Sequence, residues 1–213
     1  MIKYPEPGKV KTRLAEAIGN KKAAGVYKQL AEKVIKKTGP PFFNRPPLEK
    51  RGFSDIPLGA KYCEMMYERI IFYDPPDRIK DFEKWLPGEL FIQQRGSDIG
   101  KRMDNVIRDL LGRGAKKAVI TGADILELTS MIIMEAFAAL DSADIVIGPA
   151  KDGGYYLIGM KAPHPEIFQN IPWSTDRVFE ETMKAIEKLQ LTSARVMTLS
   201  DLDTADDYEQ PPS

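Results

Sequence analysis

The sequence contains one cysteine and one histidine, and these two shortages exclude several classes of protein. Cys63 alone cannot form an internal disulfide, which excludes a small secreted domain held together by disulfides. Cys63 and His164 together cannot assemble a zinc cluster, and no Ser-His-Asp or Cys-His arrangement is evident. Any chemistry of this chain must therefore be built from carboxylates, cations, hydroxyls and backbone.

An excess of one charge and a long apolar run are also missing. Lys+Arg and Asp+Glu both number 31, so nothing in the composition favours nucleic acid or an anionic membrane as a partner. No segment approaches the roughly 18 apolar residues of a membrane span, and no signal-peptide core opens the chain. We therefore expect a cytoplasmic protein with one domain over residues 1–213 and no membrane span. The composition leaves open whether the chain forms a homodimer.

Strand and helix patterns alternate along most of the sequence. Strands are predicted at residues 69–73, 90–94, 117–121, 144–148, 155–160 and 195–199, and helices at 21–37, 77–86, 98–112, 129–140 and 175–189. This alternation predicts an α/β fold with a mainly parallel, doubly wound sheet and helices on both faces. Residues 38–62 carry frequent proline and glycine without any period, and we interpret them as an irregular insertion outside the packed core.

The start of the chain departs from this pattern. A buried first strand of roughly 4 to 8 residues should precede the loop that begins at Tyr4, but only Ile2 and Lys3 are available. Either the first strand is truncated or another segment fills its place in the sheet.

Ligands of open α/β sheets bind beyond the carboxyl ends of the strands, so the loops that follow strands are the candidate sites. The first such loop, residues 4–14, combines a flexible glycine with three cations and a hydroxyl within six residues: Gly8, Lys9, Lys11, Thr12 and Arg13. Such a loop could hold a di- or triphosphate by charge-assisted hydrogen bonds. The alternative is a solvated basic turn.

Carboxylates follow two further strands. Asp124 comes directly after the strand at 117–121 and is placed to hold a divalent cation that bridges phosphates, or to cap the next helix. Four carboxylates within residues 201–207 follow the last predicted strand and could complete a metal site, or could cap a last short helix. Asp206 and Asp207 suit a first helical turn, so Asp201 and Asp203 are the candidate ligands. We predict that Asp124 and Asp203 converge within about 5 Å, as carboxylates that share one metal ion must.

Two adjacent glycines follow the strand at 144–148. In the segment 148–156, Gly153 and Gly154 would allow a ligand to approach the backbone closely, with Asp152 at the mouth of the loop. The alternative is a simple hairpin, because Asp-Gly is a favoured turn pair.

Taken together and in this order, these segments resemble a bacterial glycosyltransferase-like family associated with radical-SAM and selenium domains. The family belongs to the superfamily of nucleotide-diphospho-sugar transferases with a GT-A-like fold. The resemblance is carried by KYPEPGKVKTRL (3–14), QQRGSDIGKRM (93–103), VITGADILELT (119–129), GPAKDGGYYLIGMK (148–161), IPWSTDRVFEET (171–182) and DLDTADDY (201–208). Residues 38–68 show no resemblance, and 69–89 match only as generic α/β sequence.

The resemblance implies a role for each matching position. The nucleotide phosphates would be bound by Gly8, Lys9, Lys11, Thr12 and Arg13, with Lys101 and Arg102 as further candidates. Mg²⁺ or Mn²⁺ would be held by Asp124 and Asp203, and the donor and acceptor groups would face Asp152, Gly153, Gly154, Tyr155, Trp173, Ser174 and Thr175. Lys11 and Arg13 would neutralise the phosphates during transfer, and Asp152 would position or deprotonate the acceptor.

The expected function is therefore a metal-dependent transferase that uses a nucleotide or nucleotide-sugar donor and a small-molecule acceptor. A nucleotidyltransferase of the guanylyltransferase type is the alternative. A catalytically decayed nucleotide-binding scaffold is a second alternative, because the first strand is short, residues 38–62 look foreign and the segment after Gly122 reads ADILEL where the family has Asp-x-Pro-Asp-Leu.

Overall fold

The computed structural model describes residues 1–39 and 67–200. The α-helices within these ranges are α1 (Thr12–Ile18), α2 (Asn20–Lys37), α3 (Ile79–Trp85), α4 (Ile99–Gly112), α5 (Ser130–Ala139) and α6 (Val178–Lys188). Seven strands are β1 (Ile2–Lys3), β2 (Ile71–Asp74), β3 (Phe91–Gln93), β4 (Ala118–Thr121), β5 (Ile145–Pro149), β6 (Tyr155–Met160) and β7 (Ser193–Arg195). No helix in these two ranges is long and apolar enough to cross a membrane.

The strands form two sheets. The first is parallel throughout, with the order β1-β2-β3. The second has the order β4-β6-β5-β7, in which β6 runs antiparallel to both of its neighbours and β7 runs parallel to β5. The α/β class and the mainly parallel arrangement agree with the sequence prediction, and β6 is the antiparallel exception.

The two-residue strand β1 lies at the seam between these sheets. Ile2 and Lys3 pair with Tyr73 and Asp74 of β2. On the other side, the amino nitrogen of Met1 donates a hydrogen bond of 2.6 Å to the carbonyl oxygen of Thr121, the last residue of β4. The short segment therefore occupies the position expected of the first strand, and among the described residues no other segment takes its place.

In the second sheet, side chains that alternate along each strand are buried on both faces. Val146 and Leu157 pack against α5, whereas Ile145 and Ile158 pack against α4 and α6. In the first sheet, Ile71 faces α2 and α3. Helices therefore cover both faces, as the period-two pattern of the strands requires.

Local signals account for the starts of α4 and α5 and for the break between α1 and α2. Asp98 caps α4, since its carboxylate accepts a hydrogen bond from the backbone nitrogen of Lys101 at 2.8 Å. Thr129 caps α5 in the same way, through Ile132. Gly19, with φ of 86°, separates α1 from α2.

Three details differ from the sequence expectation. Helix α1 was not predicted, because Thr12 and Arg13 were assigned to a loop. The last strand is β7 at Ser193–Arg195 rather than residues 195–199, of which Leu199 forms only an isolated bridge with Ala150. Strands β5 and β6 form the hairpin that was considered as an alternative for residues 148–156. Residues 40–62 of the expected insertion, together with Asp201 and Asp203, lie outside the described residues.

Candidate functional site

A cavity of about 770 Å³ opens where β1, β4 and β5 end. Its wall is formed by the loop after β1, the loop after β4, the β5–β6 hairpin and the segment that leads into α6. Of the residues predicted from the sequence, the cavity brings together Lys9, Lys11, Thr12, Arg13, Arg102, Asp124, Asp152, Gly154, Tyr155, Trp173, Ser174 and Thr175. This volume is in the range of natural small-molecule sites.

The loop after β1 supplies a cationic wall. Val10 is 4% exposed and anchors the loop in the core, so that Lys9 and Arg13 on either side reach the cavity. Lys11 has φ of 47° and ψ of 50°, a left-handed conformation, and its carbonyl oxygen accepts a hydrogen bond from the backbone nitrogen of Ala15 at 2.8 Å. The backbone of the cationic loop is therefore held at Val10 and Lys11.

An ion pair joins the loop after β1 to the loop after β4. Nζ of Lys11 lies 2.8 Å from Oδ2 of Asp124, and the side chains are 2% and 33% exposed. Burial lowers the pKa of the Met1 amino group to about 6, and the charge of Asp124 opposes this shift. Asp124 thus places a carboxylate on the cavity wall with the Lys11 cation beside it.

Arg102 reaches the cavity from α4 and is held in place by its neighbours. Its guanidinium lies 3.1 Å from Oδ2 of Asp74 and also donates to the carbonyl oxygen of Gly96 at 3.3 Å. Gly96 has φ of 140°, and a Cβ there would lie 2.7 Å from the backbone nitrogen of Arg102. The buried amide of Gln94 donates to the carbonyl oxygens of Ile2 and Phe72 at 3.0 and 2.8 Å, which ties β1 to β2 beneath this cation.

The β5–β6 hairpin places carboxylates on the wall of the cavity. Oδ1 of Asp152 accepts the backbone hydrogen of Gly154 at 2.9 Å, which fixes the orientation of the carboxylate. Gly153 has φ of 87°, and a Cβ there would lie 2.0 Å from the carbonyl oxygen of Asp176. Because only glycine permits this approach, the hairpin brings Asp152 beside the exposed Asp176.

An aromatic corner closes the cavity near α4. The rings of Tyr155 and Trp173 meet edge to face with centroids 6.4 Å apart. Gly100 of α4 makes room for the indole, since a Cβ there would lie 2.6 Å from Cζ2 of Trp173. Next to it, the hydroxyl of Thr175 donates to the carbonyl oxygen of Pro172 at 2.7 Å, and Ser174 has φ of 67°.

Tyr27 is a cavity residue that the sequence analysis missed. It lies on the buried face of α2 and is 7% exposed, so its spacing is that of an ordinary core residue. Its hydroxyl oxygen accepts the backbone hydrogen of Lys3 at 3.0 Å. Burial, together with the charge of Asp124, raises the pKa of Tyr27 well above its usual value, so the hydroxyl keeps its proton.

Some predicted residues do not reach the cavity. Gly8 forms a turn with φ of 79° and faces Asn20, and Lys101 and Gly153 are likewise absent from the wall. Within residues 1–39 and 67–200, no group of three acids, histidines or cysteines could hold a metal ion. The convergence of Asp124 with Asp203 stays a prediction, because Asp203 is outside these ranges.

The chain is similar to proteins of known structure. A provisionally named nucleotide-diphospho-sugar transferase from Desulfovibrio desulfuricans G20 shares 31% identity, with a TM-score of 0.79, over 95% of this chain and 80% of that chain. The bifunctional IspDF from Campylobacter jejuni is only distantly similar, with 12% identity and a TM-score of 0.46 over 66% of this chain and 41% of that chain. No curated protein matches the sequence. The first likeness confirms the predicted α/β fold.

A family model matches residues 63–175, which is more than half of the chain. The match includes residues 69–89 and the end of the 38–68 stretch, which the sequence analysis had not attributed to a family. It also spans the loop after β4, the β5–β6 hairpin and Trp173. The chain therefore belongs to the family described as uncharacterized protein conserved in bacteria (DUF2064).

Proposed function

We propose that this protein is a transferase that uses a nucleotide-activated donor, with the cavity at the strand ends as its active site. The observation that carries the proposal is the division of charge in this cavity. Lys9 and Lys11 come from the loop after β1 and Arg13 from the first turn of α1, whereas Asp152 comes from the β5–β6 hairpin and Asp176 from the segment that leads into α6. The provisional name of the Desulfovibrio relative supports the same class of donor.

The cationic wall suits the phosphates of the donor. Arg13 can bind a phosphate bidentately, while Lys9 and Lys11 act as point charges. Arg102, oriented by Asp74, adds a further guanidinium. These cations would neutralise the negative charge that develops on the leaving phosphate, which is usually the largest contribution to catalysis of this kind.

The described residues fit a magnesium or manganese ion shared with the donor. Asp124 offers one carboxylate that is one-third exposed on the cavity wall. Mg²⁺ is commonly bound by one or two carboxylates together with substrate phosphates and water, so a cage of three protein ligands is not required. Asp124 would hold the ion, with Asp203 as the proposed second ligand. A bound ion would add charge stabilisation of the phosphate oxygens.

The transfer itself would be a direct displacement. The acceptor oxygen forms a bond to the transferred group, the bond from that group to the leaving phosphate oxygen breaks, and the electron pair stays on the phosphate. Asp152 would take the proton of the acceptor hydroxyl, because Oδ1 is already engaged by Gly154 and the second oxygen remains for a substrate. Tyr155 and Trp173 would shield one side of the reacting groups from water.

Glycosyl transfer and nucleotidyl transfer need the same phosphate-binding residues, so the reaction product must distinguish them. Glycosyl transfer releases a nucleoside diphosphate, and nucleotidyl transfer releases pyrophosphate. A decayed scaffold would bind nucleotide and release neither. The association with radical-SAM and selenium domains, which the sequence resemblance implies, stays part of this proposal.

Binding tests the proposal first. The protein is heated with nucleoside triphosphates and nucleotide sugars in the presence of Mg²⁺ or Mn²⁺, and the unphosphorylated nucleosides serve as controls. A ligand at a hundred times its Kd adds about 2.7 kcal/mol, which raises the Tm of a chain of this size by roughly 5 to 10 °C. The proposed function would be contradicted if none of the nucleoside triphosphates or nucleotide sugars raised the Tm of the protein.

A further inference from the structure

The Lys11–Asp124 ion pair places a protein cation where the proposed function places a metal ion. Nζ of Lys11 is 2.8 Å from the carboxylate, and the Lys11 side chain is only 2% exposed. We propose that Lys11 is the counter-ion of Asp124 until the donor arrives, so that metal and phosphates bind together rather than metal first. This inference rests on the proposed function and specifies how its site is filled.

Electrostatics opposes a metal ion that binds alone. A divalent ion bonded to Oδ2 of Asp124 at about 2.1 Å would lie within about 5 Å of the Lys11 ammonium, because the ammonium is 2.8 Å from the same oxygen. Two cations at that distance repel each other, and little water reaches Lys11 to screen them. If Lys11 moved away instead, a nearly buried ammonium would lose this carboxylate as its partner, which is costly.

A phosphate removes both obstacles. Its oxygens give the Lys11 ammonium a new anion, and they also supply ligands to the metal ion. The exchange needs only side-chain rotation, because the Lys11 backbone is fixed by the hydrogen bond from Ala15 and by the buried Val10. Nucleotide should therefore strengthen metal binding, and by linkage metal should strengthen nucleotide binding by the same factor.

The test is a titration with Mn²⁺ in the absence of nucleotide, in which electron paramagnetic resonance measures the unbound ion. It compares the full chain with Lys11→Gln and with Lys9→Gln. Lys9 is the matched control because it lies on the same wall, its loss removes the same charge, and it is exposed. We expect Lys11→Gln to bind Mn²⁺ at least about tenfold more tightly than the other two proteins. Adding Asp124→Asn to Lys11→Gln should abolish that gain.

A second titration includes a nucleotide that raises the Tm, with the Mn²⁺ affinity of the free nucleotide measured separately. The original chain should bind Mn²⁺ at least about tenfold more tightly with nucleotide than without, and Lys11→Gln should lose most of this difference. Lys11→Met, which matches the apolar length of the side chain, is measured if Lys11→Gln does not fold.

Equal Mn²⁺ affinities of the Lys11 and Lys9 variants would overturn the inference. Tight Mn²⁺ binding by the original chain without nucleotide would overturn it as well. Failure of every nucleotide to bind would refute the proposed function instead, and the nucleotide-free comparison would still decide whether Lys11 competes with the metal ion.

Discussion

Replacing Gly100 by alanine tests whether close packing of α4 against Trp173 shapes the cavity. A Cβ at this position would lie 2.6 Å from Cζ2 of Trp173 and 2.9 Å from the carbonyl oxygen of Phe168. Separations this short force the neighbours to move, and the second neighbour is backbone. Gly25 of α2 is the matched control, because no atom lies within 4 Å of the corresponding position.

Both substitutions gain helix propensity, about 0.5 to 1 kcal/mol for alanine over glycine. Only Gly100→Ala also suffers overpacking, which costs typically about 1 to 3 kcal/mol. We therefore expect Gly25→Ala to raise the free energy of unfolding, and Gly100→Ala to be less stable than Gly25→Ala by about 1 to 3 kcal/mol. Urea denaturation, followed by circular dichroism, measures this difference.

Tryptophan fluorescence adds a local measurement. If the indole of Trp173 is displaced, its emission should shift in folded Gly100→Ala but not in Gly25→Ala. Equal stabilities together with equal spectra would refute the packing argument, and with it the role of Gly100 in placing Trp173 on the cavity wall.

Three further outcomes are expected. Arg13→Ala should fold normally and bind nucleotide at least about tenfold more weakly, since a charged hydrogen bond contributes roughly 1.5 to 3 kcal/mol. Calorimetry measures the Kd, and the control Arg78→Ala, which lies outside the cavity, should leave it unchanged. Tyr27→Phe should lower the free energy of unfolding by about 1 kcal/mol, because a hydrogen bond to the buried hydroxyl is lost, and unchanged urea denaturation would contradict this. Hydrogen bonds from Thr192 lower the pKa of Asp144 below its ordinary 3.8, so Asp144→Asn should be less stable than the original chain at neutral pH. This difference should be complete above about pH 3.8 and disappear as the pH falls through the lower pKa of the folded state, and a Tm difference that does not depend on pH would be the contrary result.

The sequence predicted the cavity residues best where strand ends determine them. Asp124 directly follows a buried strand and Asp152 follows the next one, so the topology alone brings both to one edge of the sheet. The two-residue spacing of Lys9, Lys11 and Arg13 likewise required no tertiary information to be noticed. Their assembly into one cavity followed from the fold class.

Residues whose role depends on a partner far along the chain could not be predicted. Tyr27 has the spacing of a core residue of α2, and only the tertiary structure shows that its hydroxyl meets Lys3 at the cavity wall. Gln94 directly follows the short strand β3 and gives no local indication that its amide ties β1 to β2. Helix α1 was missed because its seven residues begin within a loop rich in proline and cations.

The arrangement of charge gives the proposed reaction a direction. Phosphates are attracted to the cations of residues 9–13, and they are repelled by Asp152 and Asp176, which come from the hairpin and from the segment that leads into α6. A donor would therefore bind with its phosphates toward Lys11, which leaves its transferred group pointing toward the hairpin and the aromatic corner of Tyr155 and Trp173. Asp152 and Asp176 are the described carboxylates that these two segments bring to the cavity, so an acceptor that binds next to the transferred group would find a proton acceptor there.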